Sequence, residues 1–478
     1  MCQGVAMSMP LPVDGFDWVD DSELENCLAE SLQLEEDSPE GYFLQVGIEI
    51  PEDMHDYLNE LPPFMMKRCV PETELSSAYQ KPLKENLEAG PSMEKTTKLI
   101  ADLYNKPSYI IHHRLLQLFM KLKCPKSGSQ LRITKVHAAV KFNQQAWMKI
   151  YIDTNTEMRN RATSDFEKDF WKLMNNSAFG KMIEQVRKRQ NVNLVFREDQ
   201  AINLLKKPTV QQIIDIDENF SIYLMKKLNV QLNKPLYVGV SILDLSKYVM
   251  YDMHYNGIKS SYGDRARLMY MDTDSLIYHL QTEDMYEDNL RNPFWFDNSK
   301  YDPNNPLFGR FFNERNKDVL GKFKDEYANG IITHFVAPRP KMYALRSLKI
   351  AKGNKRTASG KFKMEEMESK RAKGIGRVTI QKHTRMEEYW DSIRKGEQSF
   401  KTMKVIRSRR HLLFTELLRK KAISALCNKR WALSSIYSLA HGHHEIEKYE
   451  REFREHGYYD FTTEPIDTPC IKYLDCKF

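Results

Sequence analysis

The pattern of hydrophobic and polar positions alternates between short strand-like runs and longer helical stretches. Residues 41–51, GYFLQVGIEIP, form an apolar run closed by a proline, which predicts a strand. Residues 109–123 carry apolar side chains at helical spacing. Residues 164–189 show the longest helical pattern, with no proline and the single glycine Gly180. Residues 14–40 are acidic with sparse apolar positions, so we expect a surface helix or loop there.

Further along the chain the patterns are mixed. Residues 236–250 begin as a strand-like run and continue as a helix, and residues 266–280 form two β-type runs around a polar centre. Residues 401–440 are predicted to be helical and basic. Residues 352–373 contain eight Lys/Arg against three Glu and predict a mobile basic loop, whereas residues 80–98 are polar and predict a linker or insertion. The chain is therefore expected to mix helices and strands.

Composition and charge change this picture by pointing to a polyanionic partner. The chain has 478 residues, of which 41% are hydrophobic and 29% charged, as in globular proteins of two or three domains. The net charge is +7, but residues 1–66 contain 16 Asp/Glu and no Lys/Arg, so the remaining 412 residues carry +23. A basic body of this size suits the phosphate backbone of a nucleic acid. A solvated basic surface without a partner is the alternative.

Cysteine usage and hydropathy bear on the compartment. No apolar run approaches the ~18 residues of a membrane span, and we expect neither a membrane partner nor a signal peptide. The seven cysteines include no CxxC pair, which favours reduced thiols in an intracellular compartment, with nucleus and cytoplasm not distinguished. The segment 441–444, HGHH, could be a metal site or a polar turn, and the lack of nearby cysteines favours the turn.

The sharpest chemical feature is a pair of carboxylates, Asp272 and Asp274, within the segment YMDTDS at 270–275. Side chains at i and i+2 of an extended chain point to the same side. Two such carboxylates repel each other and need a counter-charge, which Mg²⁺ provides with oxygen ligands. A pair of metal ions can stabilise the attacking and leaving oxygens of phosphoryl transfer. An exposed Asp-rich turn is the alternative, and the flanking apolar runs weaken it.

The segment YMDTDS resembles the YxDTDS motif of family-B DNA polymerases. In that family the motif lies on a hairpin of the palm and supplies catalytic metal ligands. The resemblance implies that Asp274 is the principal ligand and that Asp272 assists. It also implies two Mg²⁺ ions as cofactors, with Mn²⁺ as a substitute.

A second motif lies about a hundred residues earlier, in the order that the family requires. The segment 172–180, KLMNNSAFG, resembles the K-x3-N-S-x-Y-G motif of the fingers. On one continuous helix, Arg161, Lys168, Lys172 and Asn176 would share a face that could hold a triphosphate. The resemblance implies that Lys172 contacts the phosphates of the incoming dNTP. Asn176 and Phe179 would lie beside the nascent base pair, with Phe179 in place of the usual tyrosine.

Shorter matches follow in family order. Lys341 and Tyr343 resemble the K-x-Y motif that holds the primer terminus, and Lys373 belongs to a K-G pair found before the thumb. The segment 321–326, GKFKDE, resembles the stretch after the metal-binding hairpin in the protein-primed viral and transposon (Polinton-like) subgroup. The basic stretch 401–421 then lies where a thumb would grip duplex backbone. This subgroup implies a DNA template and primer as partners, and a terminal protein could serve as primer.

The beginning of the chain departs from the family. The first seven residues, MCQGVAM, match only the end of a palm motif that reads D-x-N-N-L-Y-G-x-A-M in the subgroup. Its metal-binding aspartate would precede Met1, and Gln3 would replace the tyrosine that excludes ribonucleotides. We therefore expect a chain truncated at the N-terminus and lacking an exonuclease domain. Without the first palm aspartate, nucleotidyl transfer should be impaired by ~3–4 kcal/mol.

The fold implied by the resemblance is α/β (α+β), a right-hand polymerase with an antiparallel palm sheet, helical fingers and a helical thumb. The implied function is that of a DNA-directed DNA polymerase, which transfers nucleotides to a primer. The alternatives are a catalytically inactive nucleic-acid-binding remnant of a mobile element or virus and, less favoured by the lysine-rich helix, a two-metal nuclease. The expected regions are 1–69, a palm remnant with the acidic segment; 70–150, an insertion and palm region; 151–235, fingers helices with room for a second insertion; 236–350, palm with the hairpin; 351–450, basic loop and thumb; and 451–478, a tail.

Overall fold

The computed structural model describes residues 2–87, 95–351, 362–409 and 412–458. Its α-helices in these ranges are α1 Cys2–Ser8, α2 Leu24–Gln33, α3 His55–Leu58, α4 Gln80–Asn86, α5 His113–Lys121, α6 Lys149–Arg161, α7 Asp165–Met182, α8 Glu198–Leu205, α9 Leu236–Asp252, α10 Ser260–Tyr262, α11 Met285–Arg291, α12 Arg377–His383, α13 Met386–Arg394 and α14 Glu445–His456. A π-helical segment, Met253–Lys259, continues α9. No helix among the described residues is long and apolar enough to cross a membrane.

The strands pair in small antiparallel sheets. They are β1 Leu11–Trp18, β2 Glu40–Glu49, β3 Met66–Arg68, β4 Lys98–Ile100, β5 Lys106–His112, β6 Arg132–Gln145, β7 Asn191–Val195, β8 Val210–Asp217, β9 Phe220–Met225, β10 Ala266–Asp272, β11 Ser275–Leu280, β12 Gly330–Arg339, β13 Met342–Ile350, β14 Met364–Ala372, β15 Ser399–Arg409, β16 Leu412–Ile423, β17 Trp431–Ala432 and β18 Ser438–Leu439. Mixed helices with antiparallel sheets confirm the predicted α/β class at this level.

The chain forms two compact units. The first comprises Met1–Asp153, Ser241–Lys401 and Lys421–Phe478, and the second comprises Thr154–Val240 and Thr402–Lys420. Neither unit is a continuous stretch of sequence, so both depend on contacts between residues that are distant along the chain.

The largest sheet of the first unit has the strand order β1-β6-β2-β5 and is antiparallel throughout. Alternate side chains of β2 enter the core: Tyr42, Leu44, Val46 and Ile48. Helix α5 packs Leu115, Leu116 and Phe119 into the same cluster. Burial of each of these large apolar side chains contributes about 1.5–3 kcal/mol before the entropy cost of ordering them. Strand β2 therefore confirms the prediction made from residues 41–51.

A second sheet in this unit, with the order β12-β13-β14, packs against α12 and α13. Met342 and Ala344 of β13 meet Ile380 and Tyr389 of the two helices. Strand β14 is rich in charge, and cross-strand ion pairs neutralise it: Arg346 of β13 contacts Glu366 at 2.5 Å and Glu368 at 2.8 Å.

The second unit contains α7, the sheet β7-β9-β8 with α8, and most of the β15-β16 hairpin. Val195, Tyr223 and Met225 form a small core with Leu204 of α8. The helix predicted over residues 164–189 is confirmed over Asp165–Met182 by α7, whereas the last residues of that range leave the helix and form only a 3-10 turn at Val186–Lys188.

Several secondary-structure predictions were wrong, and tertiary contacts explain most of the differences. Residues 401–440 were expected to be helical, yet 399–409 and 412–423 form the paired strands β15 and β16, so the predicted helical thumb does not occur over these residues. In β15 the half-buried positions alternate with exposed ones, as in a strand with one covered face. The expected basic loop 352–373 is strand β14 from residue 364, whereas residues 352–361 lie outside the described residues.

Two helix boundaries also differ from expectation. Residues 236–240 are helical from the start of α9, where Gly239 leaves room for the side chain of Ile183, which a Cβ at that position would meet. Residues 109–112 belong to β5, and the helix begins only at His113.

The acidic segment 14–40 holds most of β1 as well as helix α2. The stretch 80–98 contains α4 and the start of β4, while its turn-like centre, 89–92, lies outside the described residues.

Candidate functional site

Strands β10 and β11 form a hairpin whose tip carries the two carboxylates. Asp272 pairs with Ser275, so Thr273 and Asp274 form a two-residue turn. Thr273 adopts a left-handed backbone conformation with φ of 61°. The Asp274 N–H donates to the Asp272 carbonyl at 2.7 Å, and the Ser275 hydroxyl donates to the same carbonyl at 3.2 Å. The predicted pair of β-type runs around a polar centre is confirmed.

The turn changes the geometric argument for the carboxylates. The prediction assumed an extended chain from Asp272 to Asp274, in which both side chains point to one side. The strand in fact ends at Asp272, and the left-handed Thr273 separates it from Asp274. Strand alternation therefore does not set the direction of the Asp274 side chain. It is the tight turn that holds both carboxylates at the hairpin tip, where Asp274 is exposed.

The body of the hairpin is fixed by apolar packing in the first unit. Met271 and Leu276 contact a cluster that contains Cys2 of α1 and Met250 of α9. The hydroxyl of Tyr278 lies 2.8 Å from Nδ1 of His254. Burial raises the pKa of the Cys2 thiol to about 11, an effect that the charge of Asp274 reinforces, so this thiol is protonated at neutral pH. The hairpin tip is thus polar and accessible on a rigid base.

The Lys-x-Tyr segment meets this hairpin tip. Lys341 lies in the two-residue turn between β12 and β13, with φ of 61°. Its N–H donates to the hydroxyl of Tyr270 at 2.8 Å, and its ammonium lies 2.5 Å from Oδ1 of Asp272. The same Oδ1 accepts a hydrogen bond from the Thr273 hydroxyl at 3.1 Å. The Tyr343 ring packs against the Tyr270 ring at a centroid distance of 5.2 Å.

The Lys-Gly segment adjoins the same turn through its backbone. The N–H of Lys373 donates to the carbonyl of Lys341 at 3.1 Å, and Gly374 follows with φ of 96°, a conformation that favours glycine. The Lys373 side chain is exposed. Asp272, Asp274, Lys341, Tyr343 and Lys373 are therefore brought together, although they span about a hundred residues of sequence.

Sequence reasoning assigned no role to the hydroxyl of Tyr270, which the structure places at the centre of these contacts. Burial raises the pKa of Tyr270, so the phenol stays protonated at neutral pH. Tyr270 lies two residues before Asp272 on the same strand, so the two side chains share a face. That spacing was the signal that could have identified it.

The donors at the tip fit a hard divalent cation. Mg²⁺ prefers oxygen ligands, keeps several waters, and is usually held by one or two carboxylates together with substrate phosphates. Asp272 and Asp274 meet that requirement for one ion. Among the described residues, the groups of three or more metal-binding side chains that lie close together are found elsewhere, and none of them includes Asp272 or Asp274.

One of those groups lies at the HGHH segment, where His55, His443 and His444 approach one another. Hydrogen bonds already use the nitrogens of two rings. Nδ1 of His55 accepts from the His444 N–H at 3.0 Å, and Nδ1 of His443 accepts from the Glu445 N–H at 3.3 Å. Nε2 of His443 lies 3.2 Å from Asp56. These bonds bind the turn to the start of α14, which supports the predicted turn, although His443 is buried.

The second unit carries the other predicted row of residues. Helix α7 begins with a capping box formed by Ser164 and Glu167, so Arg161, at the end of α6, lies on a different helix. The single face predicted for all four polar residues was therefore wrong in including Arg161, which pairs with Glu157 instead. Lys168, Lys172 and Asn176 are spaced four residues apart on α7 and are exposed.

Phe179 falls on the same side of α7, but its side chain is buried. One turn earlier on α7, Asn175 accepts a hydrogen bond of 2.8 Å from Asn155 of α6. The role of Phe179 beside a base pair stays a prediction, since its ring is covered in the structure.

Comparison with known proteins gives a distant structural likeness. No protein-family model matches the chain, and no curated protein sequence is similar to it. Three solved structures of Phi29 DNA polymerase are similar at 14% sequence identity: an orthorhombic crystal form (TM-score 0.47), a ternary complex with primer-template DNA and incoming nucleotides (0.47), and a binary complex with primer-template DNA (0.45). The similarity covers 88–89% of this chain but only 56–57% of the polymerase. At this level the likeness alone assigns neither family nor activity.

Proposed function

We propose that the chain is a DNA-directed DNA polymerase of the family-B, protein-primed type. It would transfer nucleotides from dNTPs to a primer hydroxyl. One observation carries the proposal: three separate sequence motifs of that family meet at the tip of the β10-β11 hairpin. Asp272 and Asp274 provide the carboxylates, and Lys341 lies against Asp272 at 2.5 Å. Chance matches scattered along a sequence would have no reason to converge in space.

The residues at the tip would divide the work. Asp272 and Asp274 would hold Mg²⁺, which when bound stabilises negative charge on the reacting phosphate. Lys341 and Tyr343 would position the end of the primer, since the aromatic packing of Tyr343 on Tyr270 fixes its ring. Tyr270 would orient Lys341 through the hydrogen bond to its N–H. Lys373 would contact the primer-template backbone.

Helix α7 would bind the triphosphate of the incoming nucleotide. Lys168 and Lys172 lie one turn apart and are exposed, and their ammonium groups can form charge-assisted hydrogen bonds with phosphate oxygens. Asn176 lies one further turn along the helix. Arg161 would contribute from the end of α6, independently of the α7 row.

The β15-β16 hairpin would take the role expected of a helical thumb. Lys404, Arg407 and Arg409 of β15 are exposed. Exposed cations of this kind can contact phosphates of a duplex without reading its sequence. We therefore propose primer-template DNA and dNTPs as the partners of this chain. A terminal protein primer and a viral or transposon origin are part of the proposal.

Primer extension by the purified full chain tests the function. The reaction would contain Mg²⁺, four dNTPs and a primed template, with Asp274→Asn as the test variant. We expect extension that the substitution reduces by several hundredfold, since removal of one electrostatic contributor commonly costs ~3–4 kcal/mol. Asp264→Asn is the matched control, because Asp264 is exposed near the base of the hairpin and pairs with Lys126. Equal activity of wild type and Asp274→Asn would contradict the assignment.

A second candidate is a nucleic-acid-binding protein without catalysis. The favouring observation is that the described residues place two carboxylates at the tip, one of which is already paired with Lys341. In that case no extension would occur with Mg²⁺ or Mn²⁺, while DNA would still bind in a salt-sensitive manner.

A further inference from the structure

The ion pair between Lys341 and Asp272 places a positive charge where a metal ligand is expected. The ammonium lies 2.5 Å from Oδ1 of Asp272, and the hydroxyl of Thr273 donates to the same oxygen at 3.1 Å. That oxygen therefore already accepts two hydrogen bonds. A divalent cation that binds Asp272 through Oδ1 has to displace the ammonium or share the carboxylate with it.

The position of Lys341 is set by its backbone and not by its flexible side chain alone. Its N–H donates to Tyr270, its carbonyl accepts from Lys373, and its φ of 61° fixes the direction of the turn. The side chain of Lys341 is 44% exposed and that of Asp272 is 33% exposed. An ion pair of this exposure is weak, so a divalent cation can compete with it. The backbone keeps the ammonium close while the pair itself stays reversible.

We propose that Lys341 is a built-in counter-ion of the hairpin, which pairs with Asp272 until a divalent cation binds and thereby weakens metal binding at the tip. This inference rests on the proposed function, because it takes Asp272 and Asp274 as metal ligands. Lys341 affects the metal ion only indirectly, through its ion pair with Asp272. Its pairing also relieves the repulsion between the two neighbouring carboxylates.

A counter-ion role and a purely structural role of Lys341 predict opposite changes in metal affinity when its charge is removed. If Lys341 merely supported the shape of the site, its removal would weaken metal binding. If it competes for Asp272, replacement by an uncharged side chain of similar length strengthens metal binding. An ammonium released from Asp272 would also be free to contact a phosphate, so metal and polyanion binding would favour each other.

The test is direct titration of the full chain with Mn²⁺, followed by the electron paramagnetic resonance signal of free Mn²⁺. We expect Lys341→Met to bind Mn²⁺ roughly three- to fivefold more tightly than wild type, a change of about 0.6–1 kcal/mol that matches a weak, exposed ion pair. Lys341→Arg keeps the charge and should stay within about twofold of wild type, a difference of about 0.4 kcal/mol. Lys373→Met is the matched control, since it removes an equal charge next to the same turn and its ammonium has no ion pair with Asp272 among the described residues.

The remaining outcomes separate the two proposals. Equal or weaker Mn²⁺ binding by Lys341→Met overturns the counter-ion role, provided that wild type has a site that Asp274→Asn abolishes. An equal gain in Lys373→Met also overturns it, because general charge removal would then explain the effect. If no site depends on Asp274 in any variant, the proposed metal centre fails as well. Circular dichroism of each variant establishes that the protein is folded.

Discussion

Two lysines on helix α7 show that the neighbours of a side chain decide whether its charge is available to a ligand. Lys172 of α7 is exposed, and among the described residues its side chain has no hydrogen bond or ion pair. Lys181, near the end of the same helix, pairs with Glu184 at 2.7 Å. An ammonium without a protein partner is available to a phosphate, whereas one beside a carboxylate is partly neutralised.

We predict that Lys172→Ala weakens dNTP binding by at least tenfold, because a hydrogen bond to a charged group is worth about 1.5–3 kcal/mol. The measurement is the KM for dNTP in primer extension, or the Kd of a fluorescent dNTP analogue. Lys181→Ala is the matched control on the same helix and should change KM by less than about twofold, in keeping with the small energies of surface ion pairs. Equal effects of both substitutions would contradict the role of the α7 row.

Two buried histidines give the first unit a specific pH dependence. Burial lowers the pKa of His113 and of His254 to about 3 in each case. Nδ1 of His113 accepts from the Tyr42 N–H at 3.2 Å, a bond that requires the unprotonated nitrogen. In the unfolded chain a histidine titrates near 6.5. Between these values the unfolded state binds more protons, so the stability that these residues contribute is complete above pH 6.5 and falls as the pH is lowered.

We predict that the free energy of unfolding falls more steeply between pH 6.5 and 5 in wild type than in His254→Gln. Each such histidine contributes a slope that rises from about 0.7 kcal/mol per pH unit at pH 6.5 to nearly 1.4 at pH 5. Glutamine is chosen because it does not titrate and can still meet the Tyr278 hydroxyl, which lies 2.8 Å from the histidine. Urea unfolding at several pH values measures the slope. An unchanged slope in the variant would show that His254 is not buried as a neutral ring.

Among the elements, the β15-β16 hairpin combines exposed positive charge with exposed apolar side chains. Ile406, Leu412, Leu413 and Leu417 are more than two-thirds exposed. Lys404 and Arg409 lie on β15, and both are exposed. In the proposed function this element contacts duplex phosphates. Its contribution to DNA binding can be measured from the dependence of the Kd on salt concentration.

We predict that the double substitution Lys404→Ala/Arg409→Ala makes DNA binding less dependent on salt. The slope of log Kd against log salt concentration should fall by about 0.9 for each phosphate that the variant no longer neutralises. Fluorescence anisotropy with a primed duplex at several salt concentrations measures it. Lys206→Ala/Lys207→Ala removes the same charge from the exposed turn after α8. A slope that changes equally in both double variants would mean that general charge, and not the hairpin, attracts DNA.

The elements also show what sequence reasoning could reach. Strand β2, helix α7 and the β10-β11 hairpin were predictable because their own side chains carry the signal: alternation, 3.6-residue spacing, or two β-type runs around a polar turn. Strand β14 was missed because its charges are neutralised by Arg346 on a neighbouring strand. Strands β15 and β16 were missed because the segment was assigned as a helix, although half-buried and exposed positions alternate along part of β15.

The candidate site was predictable in its residues but not in its contacts. Asp272, Asp274, Lys341 and Lys373 were each identified from short motifs. The ion pair between Lys341 and Asp272 depends on a left-handed turn in a different hairpin, and no local sequence pattern predicts that turn. The separation of Arg161 from α7 depends on the capping box at Ser164, whose Ser-x-x-Glu spacing was present in the sequence.

At the scale of the whole molecule, the chain passes between its two units four times. The segment after residue 421 returns to the beginning of the first unit: Arg430 donates to Asn59 at 2.9 and 3.0 Å, and the Ser77 hydroxyl donates to Glu450 at 2.6 Å. Contacts across more than 350 residues make folding slow, because the intervening chain must first be ordered. A fragment that ends before this segment would lack these contacts, so the full chain is the form in which to measure binding and activity.

The ion pair between Lys341 and Asp272 implies that the fold does not depend on a bound metal ion. Where carboxylates have no protein cation, a fold can depend on metal and unfold in chelator. Here Lys341 balances Asp272, and the hairpin rests on an apolar base. We predict that the purified chain keeps its circular dichroism spectrum in EDTA, with a melting temperature lowered by no more than roughly 2–4 °C relative to Mg²⁺ buffer. Disappearance of secondary structure in EDTA would contradict this. A chain built in this way would reach its folded state before any metal ion binds to it.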